Sequence, residues 1–149
     1  MMGEVLAASI CGEKREYRPG HWFNSAKFLD IEYQTYGWVN SEKGKKAYEE
    51  HFHWRHPVEK ICITIAYHKE SKQFLGINTF GIRMRHEIFD RWLTEERDTD
   101  HIVMHLKDAN FDPEFYAQYE TSIVATYNAH FGSDIKLGKK SWKRIFSNT

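Results

Sequence analysis

The sequence predicts an α+β fold in which an antiparallel sheet of about four strands is covered on one face by two or three helices. In the first half of the chain, apolar and polar residues alternate in short segments, which is typical of half-buried strands. In the second half, apolar residues recur every third or fourth position, which is typical of amphipathic helices. Strands followed by helices favour a layered fold with a further helix at the N-terminus.

The first predicted element is a helix from Met1 to Cys11, which Gly12 ends. Its apolar residues surround nearly the whole helix, and no Ser, Thr, Asp or Asn precedes it as an N-cap. Such a helix needs cover on several sides. Two interpretations remain open: it lies in a groove of its own domain, or it packs on a partner surface encoded upstream of this chain.

Four segments then have strand character: residues 27–39, 46–54, 60–67 and 74–80. The third, KICITIAY, is β-branched and apolar on both faces, which predicts an interior strand. Residues 41–44 form a predicted turn, and the polar stretch HKESKQ joins the last two strands as a hairpin. The sequence therefore predicts mainly antiparallel pairing.

The helical half begins with a predicted helix over residues 85–97. Thr99 or Asp100 caps a shorter helical segment that ends at Leu106. Asp112–Pro113 is a start signal for a last helix, which Gly132 ends. We also expect the apolar residues of the final segment to dock on the domain: Trp142, Ile145 and Phe146.

Composition excludes several classes of function. The 149 residues suit one domain, and the formal net charge of zero argues against a nucleic-acid binder. Cys11 and Cys62 form no CxxC pair, and the N-terminus lacks the basic start of a secretory signal, so a reduced, cytoplasmic protein is expected. No segment is long enough to span a membrane.

The nine histidines include two pairs with ligand spacing. His51 and His53 lie two apart on a predicted strand, and His101 and His105 lie four apart on a predicted helix, so each pair shares a face. A metal centre needs further ligands, and the sequence shows no pattern that supplies them. We therefore expect no metal site. If one is present, these four histidines are the candidates for its ligands.

Other chemistry is also missing from the sequence. No nucleophile elbow surrounds a serine, and neither GxGxxG nor a Walker loop is present. We thus expect this chain to bind no cofactor by itself and assign it no catalytic residue.

The segment RPGHWFNSAKFLDIEYQTYG, residues 18–37, is rich in aromatic rings with a polar edge. Such rings suit an interface that is buried at its centre and wet at its rim. The candidates for an interface in and beside this segment are Trp22, Phe23, Lys27, Phe28, Tyr33, Tyr36 and Trp38.

Three stretches resemble the FAD-dependent pyridine nucleotide–disulfide oxidoreductases. MMGEVLAASICG resembles the helix that closes the FAD-binding domain, and KICITIAYHKESKQFLGINTFG resembles a hairpin of the C-terminal interface domain. In that hairpin Leu75–Gly76 and Gly81 hold the characteristic positions. YRPGHWFNSAKFLDIEYQTYGWV resembles that domain's first strand pair. The resemblance covers most of residues 1–97.

The resemblance implies that residues 1–12 are the remaining helix of an FAD-binding domain and that residues 13–149 form a C-terminal interface domain. It implies FAD and NAD(P) for the complete protein, an FAD/NAD(P)-binding module as partner, and a homodimer. The fingerprints for both cofactors and a redox cysteine pair are absent here. His56–Pro57 stands too early to supply the family's C-terminal His-Pro acid/base.

Three functions are therefore compared. The first is the interface domain of an FAD-dependent NAD(P) oxidoreductase without catalysis of its own. The second is a small metal- or ligand-dependent enzyme that uses its histidines. The third is a free-standing homodimeric module whose aromatic groove binds a small apolar or planar ligand. A closed pocket lined by Trp22, Tyr33 and Trp54 would favour this third function, whereas an open aromatic face would favour the first.

Overall fold

The computed structural model describes residues 2–18, 20–111 and 117–138. It confirms the α+β class, with five strands where about four were expected. The strands are β1 (Phe23–Phe28), β2 (Ile31–Gly37), β3 (Glu49–Arg55), β4 (Cys62–His68) and β5 (Phe74–Phe80). The helices are α1 (Met2–Ile10), α2 (His86–Thr94), α3 (Thr99–Met104) and α4 (Glu120–Phe131), with a 3-10 helix at Leu106–Ala109.

The five strands form one antiparallel sheet in the order β1-β2-β5-β4-β3. The KICITIAY segment gives β4, which lies between β5 and β3 and so confirms the predicted interior position. Its side chains are buried or half-buried along the whole strand, as expected for a strand with neighbours on both sides.

The predicted strand over residues 27–39 was wrong, because the chain reverses within it. β1 ends at Phe28, residues 29 and 30 form a turn, and β2 returns from Ile31, so that Phe28 pairs with Ile31. Leu29 adopts a φ of 54°, the left-handed conformation that turns of this kind use. The strand pair that the family resemblance implied for this region is therefore present.

Three helices cover one face of the sheet. A row of directly paired side chains runs across this face, and its members are Tyr36, Ile77, Ile65 and Phe52. They belong to one buried cluster with Phe89 and Trp92 of α2, Val103 of α3 and Tyr127 of α4. Burying a large apolar side chain stabilises a fold by about 1.5–3 kcal/mol, so this cluster is the main source of stability. We call this side of the sheet the covered face.

The opposite side, which we call the open face, has a different composition. The next row of paired residues lies there, and its members are Asn24, Thr35, Asn78, Thr64 and His53. Asn78 Nδ2 donates to Thr35 Oγ1 at 2.8 Å, and His53 Nδ1 lies 3.0 Å from Thr64 Oγ1. Polar side chains that bond to one another across strands thus replace the apolar rows of the covered face.

The helices begin and end close to the predicted positions, with two corrections. The N-cap of α3 is Asp98 and not Thr99 or Asp100, because its carboxylate accepts from the backbone N–H of His101. α4 begins at Glu120, and residues 117–119 are not helical, so the helix is shorter than predicted. Gly132 ends it with a φ of 63°, as predicted.

Some predictions fall outside the described residues. The start signal Asp112–Pro113 is one of them, and the docking of Trp142, Ile145 and Phe146 is the other.

Gly76, which the family resemblance singled out, allows the chain to pass closely over β5. A Cβ at this position would lie 2.7 Å from both the backbone N and the backbone O of Trp38. Because side-chain carbons do not approach backbone atoms so closely, only glycine permits the pairing of Gly37 with Gly76. Gly81 has a φ of 70° and ends β5 at the turn.

Candidate interaction surfaces

Helix α1 is exposed on almost every side. Ile10 is 77% exposed and Leu6 is also exposed, although both are apolar. The helix ends in a turn at Cys11 and Gly12, where Gly12 has a φ of 88°, which confirms the predicted helix and its end. The described residues leave these side chains in contact with solvent, so the cover that the helix needs is not supplied by them.

The interface candidates lie in three places. Trp22 and Trp38 stack on each other at 6.1 Å between ring centroids, and both are exposed. They stand at the end of the β1–β2 hairpin that is opposite its turn, beside the Gly37–Gly76 pair. Two large rings with indole N–H groups thus form an exposed corner of the sheet.

The second group is an aromatic ladder on the open face. Phe28 stacks on Tyr33 at 6.3 Å, and Tyr33 lies 5.8 Å from Phe80 on the next strand. Phe28 is 65% exposed, and the neighbouring Leu29 and Ile31 are exposed too. Because these residues are contiguous, they form an exposed apolar patch, which is a candidate interaction site. We call it the hairpin patch: Phe28, Leu29, Ile31, Tyr33 and Phe80.

The remaining candidates point to the covered face. Lys27 is exposed there. Phe23 stacks on Tyr36 at 4.9 Å between ring centroids and lies 4.5 Å from the ring of His86 in a tilted arrangement. Tyr36 is only 1% exposed, and its hydroxyl donates to the backbone O of Met84 at 3.1 Å. Burial raises the pKa of Tyr36 above its ordinary value. Tyr36 therefore belongs to the core, and six of the seven candidates remain for a surface.

The three rings proposed to line a closed pocket do not meet. Trp54 is buried on the covered face, where its Nε1 donates to Ser122 Oγ at 3.2 Å. Tyr33 lies on the open face, and Trp22 lies at the far end of the hairpin. The aromatic surface is therefore open, which was the arrangement expected of an interface.

A cleft of about 380 Å³ opens beside Trp38, between the β2 end and the β3 start. Its lining consists of Trp38, Asn40, Lys46, Tyr48, Glu49 and Leu75. The carboxylate of Glu49 stands at this cleft and is almost completely buried. The cleft joins the exposed tryptophan corner to the histidine-bearing strand.

Glu49 remains ionised in spite of its burial. Its two oxygens accept four hydrogen bonds, from Asn40 N at 3.1 Å, Asn40 Nδ2 at 2.7 Å, Lys46 N at 3.4 Å and His51 Nε2 at 2.7 Å. Burial acts to raise the pKa of Glu49, but these donors outweigh it and lower the pKa to about 2. Glu49 thereby fixes both the loop before β3 and the ring of His51.

The two histidine pairs have different surroundings. His51 and His53 lie side by side on the open face. Glu42 of the preceding turn places a carboxylate oxygen, a third atom able to ligate a metal ion, within 4.8 Å of a ring nitrogen of each histidine. Burial and the neighbouring His51 lower the pKa of His53, which favours its neutral form. His101 and His105 stack at 4.1 Å, and His105 Nδ1 bonds to the His101 carbonyl at 2.9 Å. Within the described ranges, this second pair has no third ligand group.

Sequence reasoning missed Glu42 as a partner of His51. The two are nine positions apart, and only the predicted turn at residues 41–44, confirmed by a hydrogen bond from Gly44 N to Ser41 O at 2.8 Å, brings them together. The predicted turn beside a strand that carries two histidines was therefore the sequence feature that could have indicated Glu42 as a partner.

The described residues do not fit the binding of FAD. Dinucleotide phosphates bind where a glycine-rich turn leads from a strand into a helix N-terminus. Of the helices described within residues 20–111 and 117–138, α2 follows GIRMR, α3 follows EERD and α4 follows Tyr119, and none of these has the GxGxxG spacing.

Among the described residues, no helix combines the length and apolar character that crossing a membrane would require.

Comparisons with known proteins detect proteins of similar fold but none of similar sequence. No protein-family model matches the chain, and no curated protein matches it. Among solved structures, an NAD-dependent persulfide reductase from A. fulgidus is similar, with a TM-score of 0.58 and 17% sequence identity. That alignment covers 87% of this chain and 26% of the reductase.

Two further structures are similar over the same share of this chain. An FAD-dependent pyridine nucleotide-disulphide oxidoreductase from Desulfovibrio vulgaris has a TM-score of 0.55 at 12% identity, and the alignment covers 85% of this chain and 31% of the oxidoreductase. The reduced CoADR-RHD of Bacillus anthracis has a TM-score of 0.50 at 19% identity, and the alignment covers 87% of this chain and 26% of the CoADR-RHD chain.

These identities are low, so what the chain shares with these proteins is a fold. The chain spans only about a quarter to a third of their length. Its fold is therefore similar to that of one part of these larger proteins.

Proposed function

We propose that this chain is the C-terminal interface domain of an FAD-dependent NAD(P) oxidoreductase. In this proposal it packs against an FAD/NAD(P)-binding module of the same or a neighbouring protein, and residues 1–12 belong to the last helix of the FAD-binding domain. One observation carries the proposal: a fold shared with part of such enzymes leaves an apolar patch exposed on a sheet face that the described helices do not cover.

The hairpin patch has the composition of an interface core. Aromatic anchors provide most of the binding energy in protein interfaces, and their surroundings exclude water. Phe28 and Phe80 supply apolar surface, whereas Tyr33 keeps a hydroxyl that accepts from Asn24 Nδ2 at 3.3 Å. The patch therefore combines an apolar centre with a polar partner at its edge.

The exposed helix α1 adds a second surface to the same argument. Its side chains Leu6 and Ile10 need cover, and an FAD-binding domain to which the helix belongs would supply it. Trp22 and Trp38 form the third exposed surface. A stable interface buries about 1,600 Å² in total, which one small patch does not reach, so these surfaces are expected to contribute together.

FAD and NAD(P) are held by the partner module in this proposal. They supply hydride transfer there, and the present chain supplies contact surface and no proton-transfer group. A two-fold homodimer is proposed as a further contact of the assembled protein. Cys11 and Cys62 are both free thiols, which supports a cytoplasmic location.

The test is co-purification of the untagged chain with the FAD/NAD(P)-binding module encoded in the same or the adjacent reading frame. We expect a stoichiometric complex with flavin absorbance, whereas the chain purified by itself carries no flavin. Phe28→Ser removes an aromatic anchor and is expected to weaken the complex about thirtyfold, measured by calorimetry.

Val58→Ser is the matched control, because Val58 is an exposed apolar residue outside the hairpin patch. Its complex should keep the affinity of the unsubstituted chain. Stoichiometric FAD on the isolated chain, or an affinity that Phe28→Ser leaves unchanged, would contradict the proposal.

A further inference from the structure

Three metal-ligating side chains converge where the loop before β3 meets the open face. His51 and His53 are two residues apart on β3 and therefore point to the same side of the sheet. Glu42 reaches this side from the turn, and one ligand atom of each residue lies within 4.8 Å of those of the other two. His51 Nδ1 and Glu42 Oε1 are 3.8 Å apart.

The ring of His51 is oriented by a hydrogen bond on the side away from Glu42. Its Nε2 lies 2.7 Å from Glu49 Oε1. The other ring nitrogen, Nδ1, is the atom that faces Glu42. A carboxylate behind a ligating imidazole is the usual support of a histidine in a metal centre.

His53 has a support of the same kind. Its Nδ1 lies 3.0 Å from Thr64 Oγ1 on the neighbouring strand β4. Each imidazole is thus oriented by a hydrogen bond at one of its two ring nitrogens.

We propose that Glu42, His51 and His53 form a binding site for one divalent first-row transition ion, most favourably Zn²⁺. Two imidazoles and a carboxylate suit this class of ion, and they leave a fourth position to solvent. Tetrahedral ligands at about 2.1 Å from the ion are about 3.4 Å from one another, so the three groups need only a small contraction. Glu42 can shorten its own distances to the histidines, because its side chain is 77% exposed on a turn, and side-chain rotation can adjust the two imidazoles.

The ion would also tie the loop to the sheet. Asn40 and Lys46 of this loop already bond to Glu49, and Glu49 bonds to His51, so the site is linked to the wall of the cleft beside Trp38. Binding is therefore expected to slow hydrogen exchange of the backbone amides between residues 40 and 46. This inference does not depend on the proposed interface function.

Calorimetry of the untagged, metal-free full chain with ZnCl₂ tests the proposal, with Co²⁺ absorbance as a second measurement. We expect one ion per chain and visible d–d bands of low-symmetry Co²⁺. His53→Asn should abolish stoichiometric binding, and Glu42→Gln, at an exposed position that does not affect folding, should weaken it about tenfold or more. Thr64→Val keeps the shape of the side chain and should cost about tenfold.

His101→Asn is the matched control, because it removes a histidine from the other pair and should leave Zn²⁺ affinity unchanged. Nitrogen-15 spectra of the histidine rings give a sharper result: Zn²⁺ should shift Nδ1 of His51 and Nε2 of His53. The absence of stoichiometric binding would overturn the proposal. So would an affinity that Glu42→Gln and His53→Asn leave unchanged, or one that His101→Asn lowers equally.

Discussion

The two faces of the sheet use the same kinds of side chain for different purposes. On the covered face, Phe89 is fully buried between Tyr36, Phe74 and Trp92. On the open face, Phe28 is 65% exposed and stacks on Tyr33. The same phenyl ring therefore stabilises the fold in one position and is available for contact in the other.

This difference concerns how much apolar surface each face buries. On the covered face, the row of Tyr36, Ile77, Ile65 and Phe52 is buried and belongs to the core of the domain. On the open face, Asn78 bonds to Thr35 and His53 lies 3.0 Å from Thr64, and exposed aromatic rings lie beside this polar row at the hairpin. Substitutions of apolar residues on the two faces should consequently differ in how far they lower the free energy of unfolding.

The largest expected effect is that of Phe89→Ala. Truncating a fully buried phenylalanine removes its burial energy and leaves a cavity, so the free energy of unfolding should fall by about 3–5 kcal/mol. Urea denaturation followed by fluorescence of the buried tryptophans measures it. A loss below about 1 kcal/mol would show that the covered face is not the core of the fold in solution.

Acid should protonate the buried carboxylate of Glu49 on the open face and thereby lower the stability of the fold. The pKa of Glu49 lies at about 2, below its ordinary value of 4.5, so its carboxylate stabilises the fold above pH 4.5. This contribution, about 3 kcal/mol, is lost as the pH falls from about 4.5 to about 2. Glu49→Gln should remove this part of the pH dependence, measured as unfolding free energy at several pH values.

Glu50→Gln is the control for the acid experiment, because Glu50 is the adjacent exposed residue on the same strand. Its curve should keep the steep loss below pH 4.5. If the Glu49→Gln and unsubstituted chains lose stability in parallel, the hydrogen bonds from Asn40 and His51 do not hold the carboxylate ionised.

The smallest expected effect on stability is that of Phe28→Ala. Because the ring is mostly exposed, the free energy of unfolding should change by no more than about 1 kcal/mol. Self-association of the chain, measured by sedimentation, should fall if the hairpin patch also contacts a second copy. A stability loss that equals the loss for Phe89→Ala would remove the distinction between the two faces.

Much of the fold was predictable because local pattern and tertiary environment agree. β5 has the predicted bounds, and the apolar repeat of α4 places Ile123 and Tyr127 in the core. The resemblance located the strand pair and singled out Gly76, where the structure brings the backbone of Trp38 too close for a side chain. These features depend on neighbours that are close in sequence or on steric limits of a single residue.

The remaining features depend on contacts between distant residues. Alternation of apolar and polar residues continued across Leu29 and Asp30, so the pattern did not reveal the turn that pairs Phe28 with Ile31. Tyr36 looks like a surface ring in the sequence, but α2 covers it. Glu42 joins the histidines only because the turn folds back onto β3.

The strand order has a consequence for how the chain folds. The β1–β2 hairpin and the β3–β4–β5 meander each form from residues close in sequence, whereas β2 joins β5 through pairs such as Tyr33 with Phe80. Closing that long loop costs conformational entropy before any contact across the seam is gained. We therefore expect pairing across the seam between β2 and β5 to be slower than pairing within the hairpin or within the meander.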